Sequence, residues 1–215
     1  MRFESFSHRF VAPARYNSPR MRTALTLALL SATAAFAQSP TGLASVFDNQ
    51  ISMIDREVLG LARKMPADKY AFAPKTGITP EATFDGVRTF GQQVRHIATE
   101  IYNASSSVLN GEKPPVDVGT TDDGPANLTT KDQIIPYFEG AIAFAHKAMR
   151  SITSENALQP VPPPFAQPTR AAAASFIGWH TYDHYGQMVV YARLNGITPG
   201  SAPAPTPAKG KAKGK

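Results

Sequence analysis

The segment Trp179-His180-Thr181-Tyr182-Asp183-His184-Tyr185-Gly186-Gln187 sets two histidines four residues apart in a stretch of helical character. On an α-helix, residues i and i+4 project from one face, so both imidazoles reach a single point. That arrangement gives a divalent metal two nitrogen ligands from one rigid element. Histidine is scarce, five residues in 215 (His8, His96, His146, His180, His184), so a close pair carries information. Taken alone, the pair fits a surface or packing role equally well. Zinc-type sites need a third ligand, usually from another element, and His96 in Gln92-Gln93-Val94-Arg95-His96-Ile97-Ala98 is the candidate. Three neutral imidazoles leave an ion with an open position for water or an anionic substrate atom. The ion would lower the pKa of a bound water toward about 7, polarise a carbonyl, or hold a thiolate deprotonated.

Ligating histidines usually donate their other nitrogen to a carboxylate or carbonyl. Glu100, one turn from His96, and Asp183, beside His184, are the nearest carboxylates, and each also reads as a surface residue. Gly178 and Gly186 are poor helix formers, so close helix packing beside the site is expected there, with room for a ligand as the alternative. Tyr182, Tyr185 and Tyr191 read as core or interface, His146 as solvated without a partner, and Asp122-Asp123 as solvated loop carboxylates. The chain has no cysteine nucleophile, no G-x-S-x-G elbow, no P-loop and no dinucleotide glycine fingerprint.

Four amphipathic segments must position these groups. The first, about Thr41 to Lys64, carries Leu43, Val46, Phe47, Ile51, Ile54, Val58 and Leu61 at three- and four-residue steps and stops at Pro66. The second runs from about Thr83 to Leu109, with Phe84, Val87, Phe90, Val94, Ile97, Ile101 and Val108 on its apolar side. The third opens at Thr129 or Thr130 and carries Ile134, Ile135, Phe138, Ile142, Phe144 and Met149 to about Ile152. Pro136 falls in its first two turns, where a missing N–H does least harm. The fourth follows Pro168, is capped by Thr169, and ends at Leu194 before Asn195-Gly196. The aromatics of Tyr70-Ala71-Phe72-Ala73-Pro74 should pack against a bundle end. The Pro-, Gly- and Asp-rich connection 111–128 suits a crossover that lets helices two and three run parallel. The expected fold is all-α, a four-helix bundle with a long crossover between helices two and three.

A helix with a single histidine, the Tyr70-x-Phe72-x-Pro74 loop before it, and the closing run from His180-Thr181-Tyr182-Asp183-His184 to Asn195-Gly196-Ile197-Thr198-Pro199 together resemble the DinB-like superfamily. The resemblance covers about Ser45 to Gly200. It implies an up-down-down-up bundle holding one divalent transition metal, zinc or nickel, on three histidines, which match here to His96, His180 and His184. Members with assigned activities are thiol-dependent transferases and isomerases. The resemblance therefore points to a metal-dependent hydrolase or thiol transferase acting on a small molecule. Its rival is a non-enzymatic, metal-stabilised binding or stress-related module. Bundles of this type often pair, so a homodimer is a compatible assembly.

The two ends carry the charge. Arg20-Met21-Arg22, an apolar run from Thr23, and Ala35-Phe36-Ala37 before Gln38 form a cleavable export signal over 1–37, with Met21 as the natural start. This places the protein outside the cytoplasm, periplasmic or secreted, where the cytosolic thiols used by the family are not supplied. The lack of cysteine leaves neither a lipid anchor nor a disulfide, so the domain over 38–200 relies on its hydrophobic core. The overall net charge of +6 arises at the termini, since residues 38–200 hold 13 Lys/Arg against 15 Asp/Glu. A nucleic-acid reader carries its basic residues on the folded domain, so nucleic acid is disfavoured. The apolar run of 15 residues is short for a membrane span. The Pro/Ala/Gly/Lys tail over 201–215 cannot form a core and reads as disordered, either simply solubilising or weakly attracted to anionic surfaces.

Overall fold

The computed structural model describes residues 42–75, 77, 79–162 and 168–200. The export signal over 1–37 and the basic tail over 201–215 lie outside them. The first rod is α1 (Leu43–Ile54), which passes through a π-helical turn (Asp55–Leu59) into α2 (Gly60–Lys64). It is followed by α3 (Phe90–Val108), α4 (Lys131–Arg150) and α5 (Arg170–Leu194). Among the described residues there is no strand, only an isolated bridge between Pro160 and Thr169. None of these helices is long and apolar enough to cross a membrane.

The four rods close a square. α3 packs on α4 and α5, and α1 packs on the same two helices, which sets the first rod diagonally from α3. Ile51, Ile54, Val58 and Leu61 from the first rod meet Phe90, Val94, Ile97 and Ile101 of α3, Phe138 of α4 and Ile177 of α5 in one core. The apolar stripe expected of the first helix fails at Leu43 and Val46, which are 41% and 62% exposed, while Phe47 packs half-buried against the core. The inward face of that stretch runs through Ala44 and Asp48 instead.

The second helix starts later than its hydrophobic pattern suggests, at Phe90 rather than near Thr83. Gly86 adopts φ 78°, a left-handed conformation that breaks a helix, and Val87 is exposed. The start is then fixed by Thr89, whose hydroxyl accepts from Gln92 N at 3.2 Å while Gln92 Oε1 accepts from Thr89 N at 2.7 Å. This reciprocal pair satisfies two of the donors that every helix start leaves open. The aromatic loop satisfies two more. Phe72 O accepts from Phe90 N and Tyr70 O from Gly91 N, both at 2.8 Å. Gly91 is needed here, because a Cβ would lie 3.1 Å from both the Tyr70 ring and its carbonyl oxygen. Tyr70 stacks edge-on against Phe90 and donates its hydroxyl to Ala62 O at 2.8 Å.

Thr130 caps α4, with Gln133 Oε1 accepting from its backbone N–H at 3.1 Å. Thr169 caps α5, accepting from Ala172 N at 3.2 Å. At the other end of α5, Gly196 at φ 72° turns the chain so that Ile197 N reaches Ala192 O at 2.9 Å.

Two polar clusters tie the rods together. Asp48 on α1 accepts from His146 Nδ1 at 2.6 Å and pairs with Arg150 at 3.2 Å, so His146 is partnered rather than solvated. Arg170, only 7% exposed, opens α5 and donates to Val108 O and Asn110 Oδ1 at the end of α3. The guanidinium thus answers the negative pole of α3 rather than a carboxylate. Arg170→Met should cost about 1.5–3 kcal/mol, the range for hydrogen bonds to a charged group. Urea denaturation of both proteins checks this, and an unchanged midpoint would mean that solvent replaces those bonds.

Candidate metal centre

His96 stands in the second turn of α3, and His180 and His184 stand one turn apart on α5, the helix against which α3 packs. The three rings converge. One ring nitrogen from each lies within 4.8 Å of the others, and His96 Nε2 is 3.1 Å from His184 Nε2. His180 sits 5.1 Å from His96 and 4.7 Å from His184, ring centre to ring centre. His96 and His184 are buried, whereas His180 is half-buried and stacked on Phe176 with the rings 4.6 Å apart.

Hydrogen bonds on the far side of two rings orient them. His96 Nδ1 lies 2.7 Å from the carbonyl oxygen of Asp122, and His184 Nδ1 lies 2.7 Å from Gln93 Oε1. Gln93 in turn donates its amide to Gln187 Oε1 at 2.8 Å, which leaves its own oxygen for the imidazole. A carbonyl oxygen only accepts, so each Nδ1 carries the proton and each Nε2 is a bare lone pair. Two such lone pairs facing each other at 3.1 Å repel unless a cation lies between them. The donor set is therefore compatible with a divalent ion among the three rings, with the Nε2 atoms of His96 and His184 turned toward each other.

The two carboxylates nearest in sequence, Glu100 and Asp183, do not hold the histidines. Glu100 is bonded to Asn103 at 3.4 Å, and burial raises its pKa. Asp183 is exposed and receives Gln187 Nε2 at 3.4 Å. Gln93 takes that role for His184, and its position three residues before His96, on one helix face, was a readable signal. The Asp122 carbonyl takes it for His96, and a backbone oxygen from a distant loop leaves no mark in residue type. Asp122 and Asp123 are not simply solvated either. Arg88, just ahead of α3, pairs with Asp122 at 3.1 Å and with Asp123 at 2.5 Å and so anchors the crossover beside His96.

The glycines divide. A Cβ on Gly178 would fall 1.7 Å from Gln50 Nε2, so this glycine does admit a close neighbour from α1. Gly186 is exposed, with nothing within 4 Å of such a Cβ, so close packing does not explain it. Tyr191 is buried with its hydroxyl on Arg88 O at 3.1 Å, and Tyr182 donates to Glu57 at 3.1 Å, so both serve packing.

Without an ion, the site disfavours protons. Burial lowers the pKa of His96, and it takes His180 and His184 down to about 4, helped by the neighbouring imidazoles. Unfolded histidines take up a proton near pH 6.5. Between that pH and about 4 the unfolded chain therefore binds more protons than the native one, and stability falls as pH falls. Thermal melts in EDTA at stepped pH should show the midpoint dropping across this window, with a shallower drop for His180→Gln.

These features define a helical bundle with a three-histidine site able to hold a metal ion. The model of the DinB superfamily matches residues 50–188, which is more than half of the chain and includes all three histidines. The chain belongs to the DinB superfamily. No curated protein matches it.

Proposed function

We propose that the protein binds one divalent transition metal, zinc or nickel, through His96, His180 and His184. The observation that carries this reading is the pair of unprotonated Nε2 atoms at 3.1 Å, each committed to that state by a carbonyl acceptor on its Nδ1. A bound ion would supply Lewis-acid chemistry, activating a water or thiol or polarising a carbonyl. Gln93 and the Asp122 carbonyl would keep the two buried rings in their ligating tautomer. Half-buried His180 is the most accessible of the three rings, and that supports a metal-dependent hydrolase or thiol transferase. The export signature at Ala35-Phe36-Ala37 argues for action outside the cytoplasm by a mature domain starting at Gln38, and so favours the hydrolase. The up-down-down-up order is the topology we assign, supported by the long connection between α3 and α4 and by the diagonal placement of the first rod and α3.

One observation favours the rival reading, a non-enzymatic metal-stabilised module. The site joins three separate segments, α3, α5 and the crossover, so an ion there would fasten the bundle together. A zinc titration against a competing chelator tests the binding itself. Gln93→Ala should weaken zinc about 10–100-fold, as expected when the group orienting a ligand is lost. Equal affinity in the two proteins would remove Gln93 from the site, and no zinc binding by either would remove the metal.

A further inference from the structure

A cleft of about 280 Å³ opens at the start of α3, between the Tyr70–Ala71 segment and the end of the crossover. None of the three histidines lines it. Ala71, Ala126 and Leu128 give it an apolar wall that solvent reaches. Arg95 is the one charged side chain among the described residues that line it.

Arg95 is only 9% exposed, and a charge so deeply set is ordinarily paired with one of opposite sign. No carboxylate among the described residues pairs with it. Its Nε donates to Asp123 O at 2.5 Å and its Nη1 to Leu128 O at 2.9 Å. Both acceptors are neutral carbonyls, and they tie the crossover to α3. A guanidinium carries five N–H donors, so three remain, two of them on Nη2. Nη2 makes no bond among the described residues and is not sealed from solvent.

The charges nearby do not cancel this one. Asp122 and Asp123, on the segment that Arg95 tethers, are taken by Arg88. Outside the cleft, Lys131 lies over the Tyr70 ring at 6.0 Å, and Asp132 adds to the burial that raises the Tyr70 hydroxyl pKa. Those two neighbours oppose each other in sign. The uncommitted side-chain groups beside Arg95 can donate as well. Gln92 spends its Oε1 on Thr89 N and keeps its amide hydrogens, and Thr129 is held through its backbone N–H, which leaves its hydroxyl free. One positive charge, neutral donors and an apolar wall suit a carboxylate with a small apolar body. A phosphate dianion would leave one of its charges unanswered.

We propose that this cleft binds a small monocarboxylate, its oxygens on Arg95 Nη2 and its apolar body against Ala71, Ala126 and Leu128. This is independent of the metal reading. The test uses the full chain freed of metal by dialysis, so that no carboxylate is held by an ion, and titrates benzoate by calorimetry. Benzylamine, of similar shape and opposite charge, and inorganic phosphate are the counter-probes. Benzoate should bind saturably, at about millimolar Kd or tighter, and at least about tenfold ahead of either counter-probe. Ala126→Asp is an exposed change that leaves both carbonyl bonds of Arg95 in place. It sets a carboxylate in the cleft and should abolish benzoate binding with an unchanged circular dichroism spectrum. Arg95→Met should weaken benzoate at least about tenfold, the loss of one charge-assisted hydrogen bond. If Arg95→Met does not fold, Ala126→Asp decides alone. Benzylamine or phosphate binding as tightly as benzoate, full benzoate binding by Ala126→Asp or by a folded Arg95→Met, or no saturation by about 10 mM benzoate would each overturn the proposal.

Discussion

His184→Ala is expected to strip the metal from the protein while leaving the bundle folded. Removing a group that only orients a ligand costs up to about 100-fold in affinity, so losing a ligand should cost at least about that much. His184 also gives up its contact with His96 and its bond to Gln93, so the two remaining imidazoles lose their common orientation. Elemental analysis should find wild type near one equivalent and the variant near none. The chain offers a second readout, because Trp179 is its only tryptophan and its ring lies 6.0 Å from that of His180. Nickel added to the metal-free protein should quench Trp179 fluorescence in wild type and leave it unchanged in His184→Ala. Full metal content in the variant would exclude the site.

Phe138→Ala should destabilise the protein far more than chelation does. Phe138 is fully buried on α4, in the core it shares with α3 and the first rod. Truncating such a ring costs about 3–5 kcal/mol, which for a domain of this size lowers the melting temperature by roughly 6–20 °C. Small zinc domains unfold without their ion because the ion replaces a core they lack. Here the apolar stripes of four helices meet directly, and circular dichroism in EDTA should show an unchanged helical spectrum. Unfolding on chelation would instead favour the metal-stabilised module.

Much of this was legible because helical periodicity is dense in the chain. Thr130 and Thr169 cap where their residue types predict, and Asn195-Gly196 ends α5 as a helix stop should. His180 and His184 were legible for the same reason, since the i, i+4 spacing survives in any helix, whereas His96 followed from the need for a third ligand and from the family resemblance. The failures have more than one cause. Val46 repeats at the correct interval yet is exposed, because the inward face of that end runs through Ala44 and Asp48 instead. Phe84 and Val87 continue the pattern of α3 backward, but Gly86 and the Thr89–Gln92 pair end the helix after them. Asp48 meets His146 from 98 residues away, and the Asp122 carbonyl meets His96 across 26, so neither is written in local spacing.

The docking of the Tyr70–Phe72 loop onto α3 bears on how His96 moves. First turns of helices ordinarily fray, opening and reclosing at little free-energy cost. In α3 that turn is bonded from outside by two loop carbonyls and from within by Thr89 and Gln92. Opening it requires Tyr70 and Phe90 to leave the core together. The backbone one turn before His96 is thus tied to the core rather than left as a loose end. The His96 imidazole is therefore carried on a base that cannot fray on its own.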